Sequence, residues 1–224
     1  DELLTSAGII ALGEIRDPKA VRKLESILMT GTPRLARIAM ESLASSRFQE
    51  FHEVLVRHLD EKTAVPAKEA IEVLAGFAHP DAPSGEADEQ GRALRGVGDN
   101  VVQHGQDMRG TARYIRSNDR VLSYLTDGVP PGTIAVIDDS GGTLTAPIIE
   151  QFAGVICAGG TVRSHLGILT REYNIPCLMN AKISGIREGD TVVIEASAPA
   201  KTTEDYQDGV ERVGRVWLLA GESA

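Results

Sequence analysis

The chain has 224 residues, a formal net charge of -9 at pH 7, 42% hydrophobic residues and 25% charged residues. That balance is ordinary for a soluble globular protein and leaves room for a real core in one or two domains. The acidic charge, with no basic run and no aromatic-plus-basic platform, excludes nucleic acid as the main partner.

No apolar stretch approaches the ~20 residues needed to cross a bilayer and no signal peptide leads the chain, so no membrane partner is expected. Asp1 stands where a Met would, with a helical pattern already under way, which reads as a piece of a longer chain. Cys157 and Cys177 both sit in apolar segments and make neither a disulfide framework nor a zinc site, so a cytoplasmic location is expected.

In chain order, residues 1–80 carry an internal repeat. Ile9, Met40 and Ile71 fall at an interval of 31, as do Leu12, Leu43 and Leu74, and Gly8, Ala39 and Ala70 put small residues at the same phase. Leu24 matches Leu55, and Leu28 matches Leu59. Asp17-Pro18-Lys19-Ala20-Val21 reads as a turn into a second helix, with Pro18 in its first turn. His79-Pro80-Asp81-Ala82 echoes that turn. A helix pair that cannot bury its apolar face alone stacks on its neighbours, and the unit resembles short HEAT-like repeats of about 30 residues. Such an array serves either to dock a partner or as a helical spacer.

Residues 81–118 read as linker and connector. Asp81 to Gly91 is rich in Pro, Ser, Gly, Asp and Glu. Arg92 to Asn118 is ambiguous, with room for one short helix. Residues 119–224 change character. Leu122–Leu125 is a weak strand candidate, and Thr133–Ile137 a strong one. Asp138–Gly142 forms a loop, and Thr145–Phe152 fits a short helix. Apolar strands follow at Ala153–Ala158, Ile175–Met179, Thr191–Ala196 and Gly214–Leu219. Strands alternating with short helices make an α/β domain.

The stretch with chemical content begins after Ala158. Gly159 and Gly160 break the strand and admit close backbone approach. Thr161, Val162, Arg163, Ser164 and His165 then lead into Leu166, Ile168 and Leu169, the apolar side of a helix that Pro176 helps to end. A helix N-terminus offers unpaired N–H groups to an anion. Arg163 adds a positive charge two residues before the imidazole, and a neutral imidazole is a nucleophile able to carry an anionic group. Ser164 fits a helix N-cap, since no Gly-x-Ser-x-Gly elbow surrounds it. Arg171 serves either a bound anion or a nearby carboxylate. Asp138 and Asp139 read as a solvated loop, and His52, His58, His79 and His104 show no ligand spacing; no metal site is expected.

These residues resemble a known family. Val155-Ile156, Gly159-Gly160, Ser164-His165, Thr170-Arg171-Glu172, Asn174-Ile175-Pro176-Cys177 and Arg187-Glu188-Gly189-Asp190-Thr191-Val192-Val193-Ile194 follow, in order, the pattern of the phosphohistidine swivelling domain. This is the mobile domain of PEP-utilising enzymes such as pyruvate phosphate dikinase, PEP synthase, enzyme I of the sugar phosphotransferase system and phenylphosphate synthase. The resemblance implies a swivelling β/β/α domain over about Gly128 to Leu219, so the expected fold is HEAT-like helical repeats followed by that domain.

It further implies a phosphocarrier in which His165 takes a phosphoryl group at one active site and delivers it at another. Gly159, Gly160, Thr161, Arg163, Ser164 and Arg171 would support the phosphate. The sequence departs from the family at two places: Thr161 stands where glycine is common, and Arg163 where a threonine usually contacts the phosphate.

No Walker-type loop is present, and the chain has no length for a nucleotide-binding fold or a (β/α)8 barrel. The chain itself is therefore expected to bind no cofactor. ATP or PEP, with Mg, would sit on a partner, an ATP-grasp-type nucleotide-binding subunit, alongside an acceptor-binding subunit or domain. The alternative is a non-catalytic scaffold that keeps the fold as an interaction module.

Overall fold

The computed structural model describes residues 2–15, 17–45, 76–138 and 141–219. Three helices come first: α1 (Glu2–Glu14), α2 (Pro18–Thr30) and α3 (Pro33–Ser45). The Asp17 carboxylate caps α2 by accepting from the Lys19 N–H at 2.7 Å, and Pro18 opens the first turn. Ile9, Ile10, Val21, Leu24, Leu28, Ile38, Ala39, Met40 and Leu43 make one core between the three. The backbones of α1 and α3 approach closely at Gly13, where a Cβ would lie 2.8 Å from the Ser42 carbonyl oxygen; around Gly8 there is open space. The matching repeat positions Leu55, Leu59, Ala70, Ile71 and Leu74 lie outside the described residues, as do His52, His58 and Asp139.

The second part is a closed barrel of seven strands: β1 (Arg92–Asn100), β2 (Met108–Tyr114), β3 (Thr133–Ile137), β4 (Gly154–Cys157), β5 (Cys177–Ile183), β6 (Thr191–Ile194) and β7 (Val213–Leu219). Around the barrel the order is β1-β5-β4-β3-β2-β6-β7, and β1 pairs with β7 to close it. Strands β2, β3, β4 and β5 are mutually parallel, while β1 and β6 run antiparallel to their neighbours.

The helices between the strands are α4 (Asn118–Asp127), α5 (Gly141–Thr145), a 3-10 turn (Ala146–Gln151), α6 (His165–Glu172) and α7 (Thr203–Asp208). Among the described residues no helix is long and apolar enough to cross a membrane.

Strands β3 and β4 are buried on both faces, which is why their sequence reads as continuous apolar runs. Ile134, Val136, Ile156 and Leu178 join Val192, Ile194 and Val216 in one core, the barrel interior. Ala135, Ile137, Val155, Cys157, Cys177 and Met179 point the other way, into a core shared with Val121, Tyr124, Ile148, Ile149 and Leu166 from the helices.

This architecture overturns the expected one. In place of HEAT-like repeats followed by a swivelling β/β/α domain stands a closed seven-stranded barrel preceded by three helices. The stretch read as linker and connector supplies β1 and β2. Two features hid them: β1 carries Gly96 and Gly98, and its last residues are Asp99 and Asn100, poor strand formers that pairing with β5 and β7 holds extended. The weak strand candidate at Leu122–Leu125 is helical instead. The Ser117 hydroxyl caps α4, and Arg120, Val121, Ser123 and Tyr124 form its buried face.

The helical part meets the barrel part at α4. There α1 packs alongside, and Arg34 of α3 pairs with Asp119. The 3-10 turn occupies most of the short helix expected at Thr145–Phe152.

Two buried groups make the fold sensitive to alkali. The Tyr114 hydroxyl donates to the Ile186 carbonyl at 2.9 Å and accepts from the Phe77 N–H at 3.1 Å, and burial pushes it from 10.0 up to about 12. Burial likewise pushes the Cys177 thiol from 9.0 up to about 12. Each group holds its proton more tightly folded than unfolded, so its contribution is complete below the unfolded value and is lost as pH rises through the folded one. Denaturant unfolding is expected to show a falling midpoint between about pH 9 and about pH 12. A midpoint flat across that window would contradict the burial of both groups.

Candidate functional site

The site lies where the chain leaves β4, at the carboxyl end of the parallel strands. Pairing of β4 with β5 stops at Ile156 and Leu178, and the Asn180 N–H then donates to the Gly159 carbonyl at 3.0 Å. Asn180 reaches this position with φ at +48°, and Gly160 follows in the left-handed region at φ +67°. Next comes a tight turn in which the Ser164 N–H donates to the Thr161 carbonyl at 2.9 Å and the Arg163 N–H to Thr161 Oγ1 at 3.3 Å. Helix α6 starts at once. The Ser164 hydroxyl accepts from the Gly167 N–H at 3.4 Å, making it the N-cap, and His165 is the first helical residue.

Apolar anchoring decides which side chains face water. Val162 is 2% exposed and Leu166 is 3% exposed, both inside the core beneath the helices, while Arg163 and His165 between them are exposed. The imidazole therefore stands at the mouth of a capped helix, with its neighbours on both sides pinned. The N–H groups of the first helical turn have no intrahelical acceptor and present positive potential to an anion.

Gly167 sets how closely α6 sits on the loop. A Cβ there would lie 2.5 Å from the Val162 carbonyl oxygen and 2.8 Å from its carbonyl carbon, both backbone atoms that cannot swing aside. Farther along, the Thr170 hydroxyl donates to the Leu166 carbonyl at 3.0 Å. Arg171 Nη2 donates to the Val162 carbonyl at 3.2 Å, so its guanidinium bears on the loop backbone.

Of the residues picked out in the sequence, Gly159, Gly160, Thr161, Arg163, Ser164 and His165 form one continuous turn, with Arg171 one helix length behind it. Asp138 is exposed at the end of β3. Among the described residues no group of His, Cys, Asp and Glu is arranged to hold a metal ion.

Three residues that sequence reasoning passed over lie beside the turn: Asp99 at the end of β1, Lys201, and Tyr206 on α7. Lys201 Nζ is 2.8 Å from Asp99 Oδ1, and the Tyr206 hydroxyl donates to Asp99 Oδ2 at 2.8 Å. No local signal marks them, since about a hundred residues of chain separate Asp99 from its two partners.

Residues 129–198 match the family model described as PEP-utilising enzyme, mobile domain. The matched span contains the whole turn and His165, and it supports a phosphohistidine carrier role in general. It stops short of Lys201, Tyr206 and β7, and does not reach the N-terminal helices. No curated protein matches the chain.

Two solved structures resemble it weakly. One is the microcin C7 self-immunity protein MccF in an inactive mutant apo state, 11% identical, with a TM-score of 0.35 over 57% of this chain and 43% of that one. The other is MccF in complex with glutamyl sulfamoyl guanosine, 12% identical, with a TM-score of 0.34 over 57% of this chain and 42% of that one. The aligned part thus spans less than half of either MccF chain, and likeness at this level carries no argument.

The Gly167 geometry yields a sign that propensity alone would get wrong. On an open helix, Gly→Ala stabilises by about 1 kcal/mol. Gly167→Ala is expected instead to destabilise by about 1 to 3 kcal/mol, because helix and loop must separate. Denaturant unfolding of the variant measures this, and a gain in stability would show that the contact with Val162 is looser than described.

Proposed function

We propose that this chain is the phosphocarrier subunit of an ATP- or PEP-dependent phosphotransferase or synthetase, of the PEP synthase or phenylphosphate synthase type. The observation that carries the reading is the exposed His165 as first residue of a capped helix, inside the span that matches the mobile-domain family. In this reading a neutral imidazole nitrogen of His165 attacks a phosphoryl group held on a partner. The new N–P bond forms as the donor's bond to phosphorus breaks. A second transfer, to an acceptor at a separate site, returns the free imidazole.

Phosphoryl transfer asks a protein mainly for positioning and charge stabilisation, which a small domain can supply. The α6 first turn would face the phosphate oxygens, with Arg163 as the neighbouring cation, able to form charge-assisted hydrogen bonds in place of the family's threonine. Thr161 and Ser164 hold the shape of the turn. The nucleotide or PEP, with its Mg, would be bound by an ATP-grasp-type subunit, and the acceptor by another subunit or domain. The cytoplasm suits both that chemistry and the two buried free thiols, Cys157 and Cys177.

The reading is tested by incubating the intact protein with extract of its own cells and phosphate-labelled ATP in one arm, labelled PEP in the other. An acid-labile, base-stable label is expected on the wild type and absent from His165→Ala, and the arm that labels identifies the donor. No label on the wild type in either arm would favour a scaffold over a carrier.

A further inference from the structure

Val162, three residues before His165, is held from two sides. Its side chain is buried and its carbonyl accepts from Arg171, and the Tyr206 phenol lies close to its backbone N–H. Tyr206 passes the constraint inward. Its hydroxyl donates to Asp99 Oδ2 at 2.8 Å, and the Asp99 carboxylate, 6% exposed, also takes the Lys201 ammonium at 2.8 Å. The Tyr206 ring collects the local cations, with Lys201 Nζ 4.3 Å and the Arg163 guanidinium 5.9 Å from its centroid, within cation–π range.

The helix carrying Tyr206 is itself tied down. Thr202 and Asp205 form a reciprocal capping box, Arg212 pairs with Asp205 at 2.8 Å, and Gly209 ends α7 in the left-handed conformation. Burial, with the Asp99 carboxylate next to it, pushes the Tyr206 phenol up to about 12, so it stays a hydrogen-bond donor at working pH. With Asp99 neutralising one of the two cations, the cluster presents a net single positive charge to the turn.

We propose that Tyr206 is a positioning residue for phosphoryl transfer at His165, its hydroxyl anchored on Asp99 and its ring stationing Arg163 beside the imidazole's turn. This rests on the carrier reading of His165. It also gives a place to Arg163, the residue that departs from the family pattern: an arginine long enough to stack on Tyr206 replaces a threonine that would not reach it.

Phosphoramidate tests the proposal without any partner protein. The imidazole nitrogen attacks its phosphorus, the P–N bond breaks and ammonia leaves, while His79 on the same molecule serves as internal reference. In the full chain, Tyr206→Phe keeps the ring and deletes the hydroxyl's bond to Asp99. His165 labelling is expected to slow roughly 3- to 10-fold, the range set by loss of one hydrogen bond. His79 labelling should stay unchanged, and amide exchange in the segment containing Val162 should speed up. Tyr206→Leu, which removes the ring, should cost less than multiplicatively when combined with Arg163→Gln, because both changes break one interaction.

Wild-type labelling of His165 in Tyr206→Phe, or losses that multiply in the double variant, would overturn the role of Tyr206 alone. A wild-type protein whose His165 is labelled no faster than His79 would overturn the carrier reading and this proposal together.

Discussion

Closure of the barrel by β1 is the constraint on which the rest depends. Strand β1 pairs with β5 on one side and β7 on the other, and the seam leaves no room for a side chain at two of its glycines. A Cβ at Gly96 would meet Ile183 Cγ2 at 2.4 Å, and one at Gly214 would meet Leu178 Cδ2 at 2.7 Å. These glycines weaken each strand taken alone, yet they let three backbones approach closely enough to complete the ring. Closure leaves the barrel no free sheet edge. It also delivers Asp99 and Asn100 to the end of the barrel where the chain leaves β4. The Asn100 carbonyl accepts from the Lys201 N–H at 2.8 Å, and Asp99 takes the side chains of Lys201 and Tyr206.

The two faces of the parallel strands divide the remaining work. The inward face fills the barrel with branched side chains, and the outward face gives α4, the 3-10 turn and α6 something apolar to pack on. Helix α6 is short and could not persist alone in water. It is held by Leu166 in the shared core, by the Ser164 cap, by Thr170, and by the contact of Gly167 with the Val162 backbone. Rigid support of this kind matters more than helix propensity for a residue that must meet its reaction partner in one orientation.

The turn bearing His165 thus combines exposure with restraint. Loops usually carry function at the cost of mobility. Here the exposed residues are Thr161, Arg163 and His165, and each alternates with a group fixed from below: Val162, the Ser164 cap and Leu166. A histidine so placed is open to solvent while its neighbours in the chain are held from below.

Much of this was legible from local pattern. The apolar runs at Thr133–Ile137 and Ala153–Ala158 announced β3 and β4, the glycine pair announced the turn, and Ser164 before Leu166 and Leu169 announced a capped helix starting at His165. Each of these is a property of neighbours in the chain, settled by sterics, capping and burial periodicity over a few residues. Strands β1 and β2 were not legible, nor was α4 as a helix. Gly96, Gly98, Asp99 and Asn100 in β1 argue against a strand until β5 and β7 supply its hydrogen bonds, and Leu122–Leu125 is apolar enough to suit either state until Ser117 caps it. The cluster of Asp99, Lys201 and Tyr206 was invisible for the same reason: its members meet only because the barrel closes. Residue order over a few positions was enough to set the local form of the turn and its capped helix. Only the tertiary structure decided that the fold is a closed barrel and what stands behind the histidine, because long-range pairing is chosen by which segments can share hydrogen bonds and exclude water together.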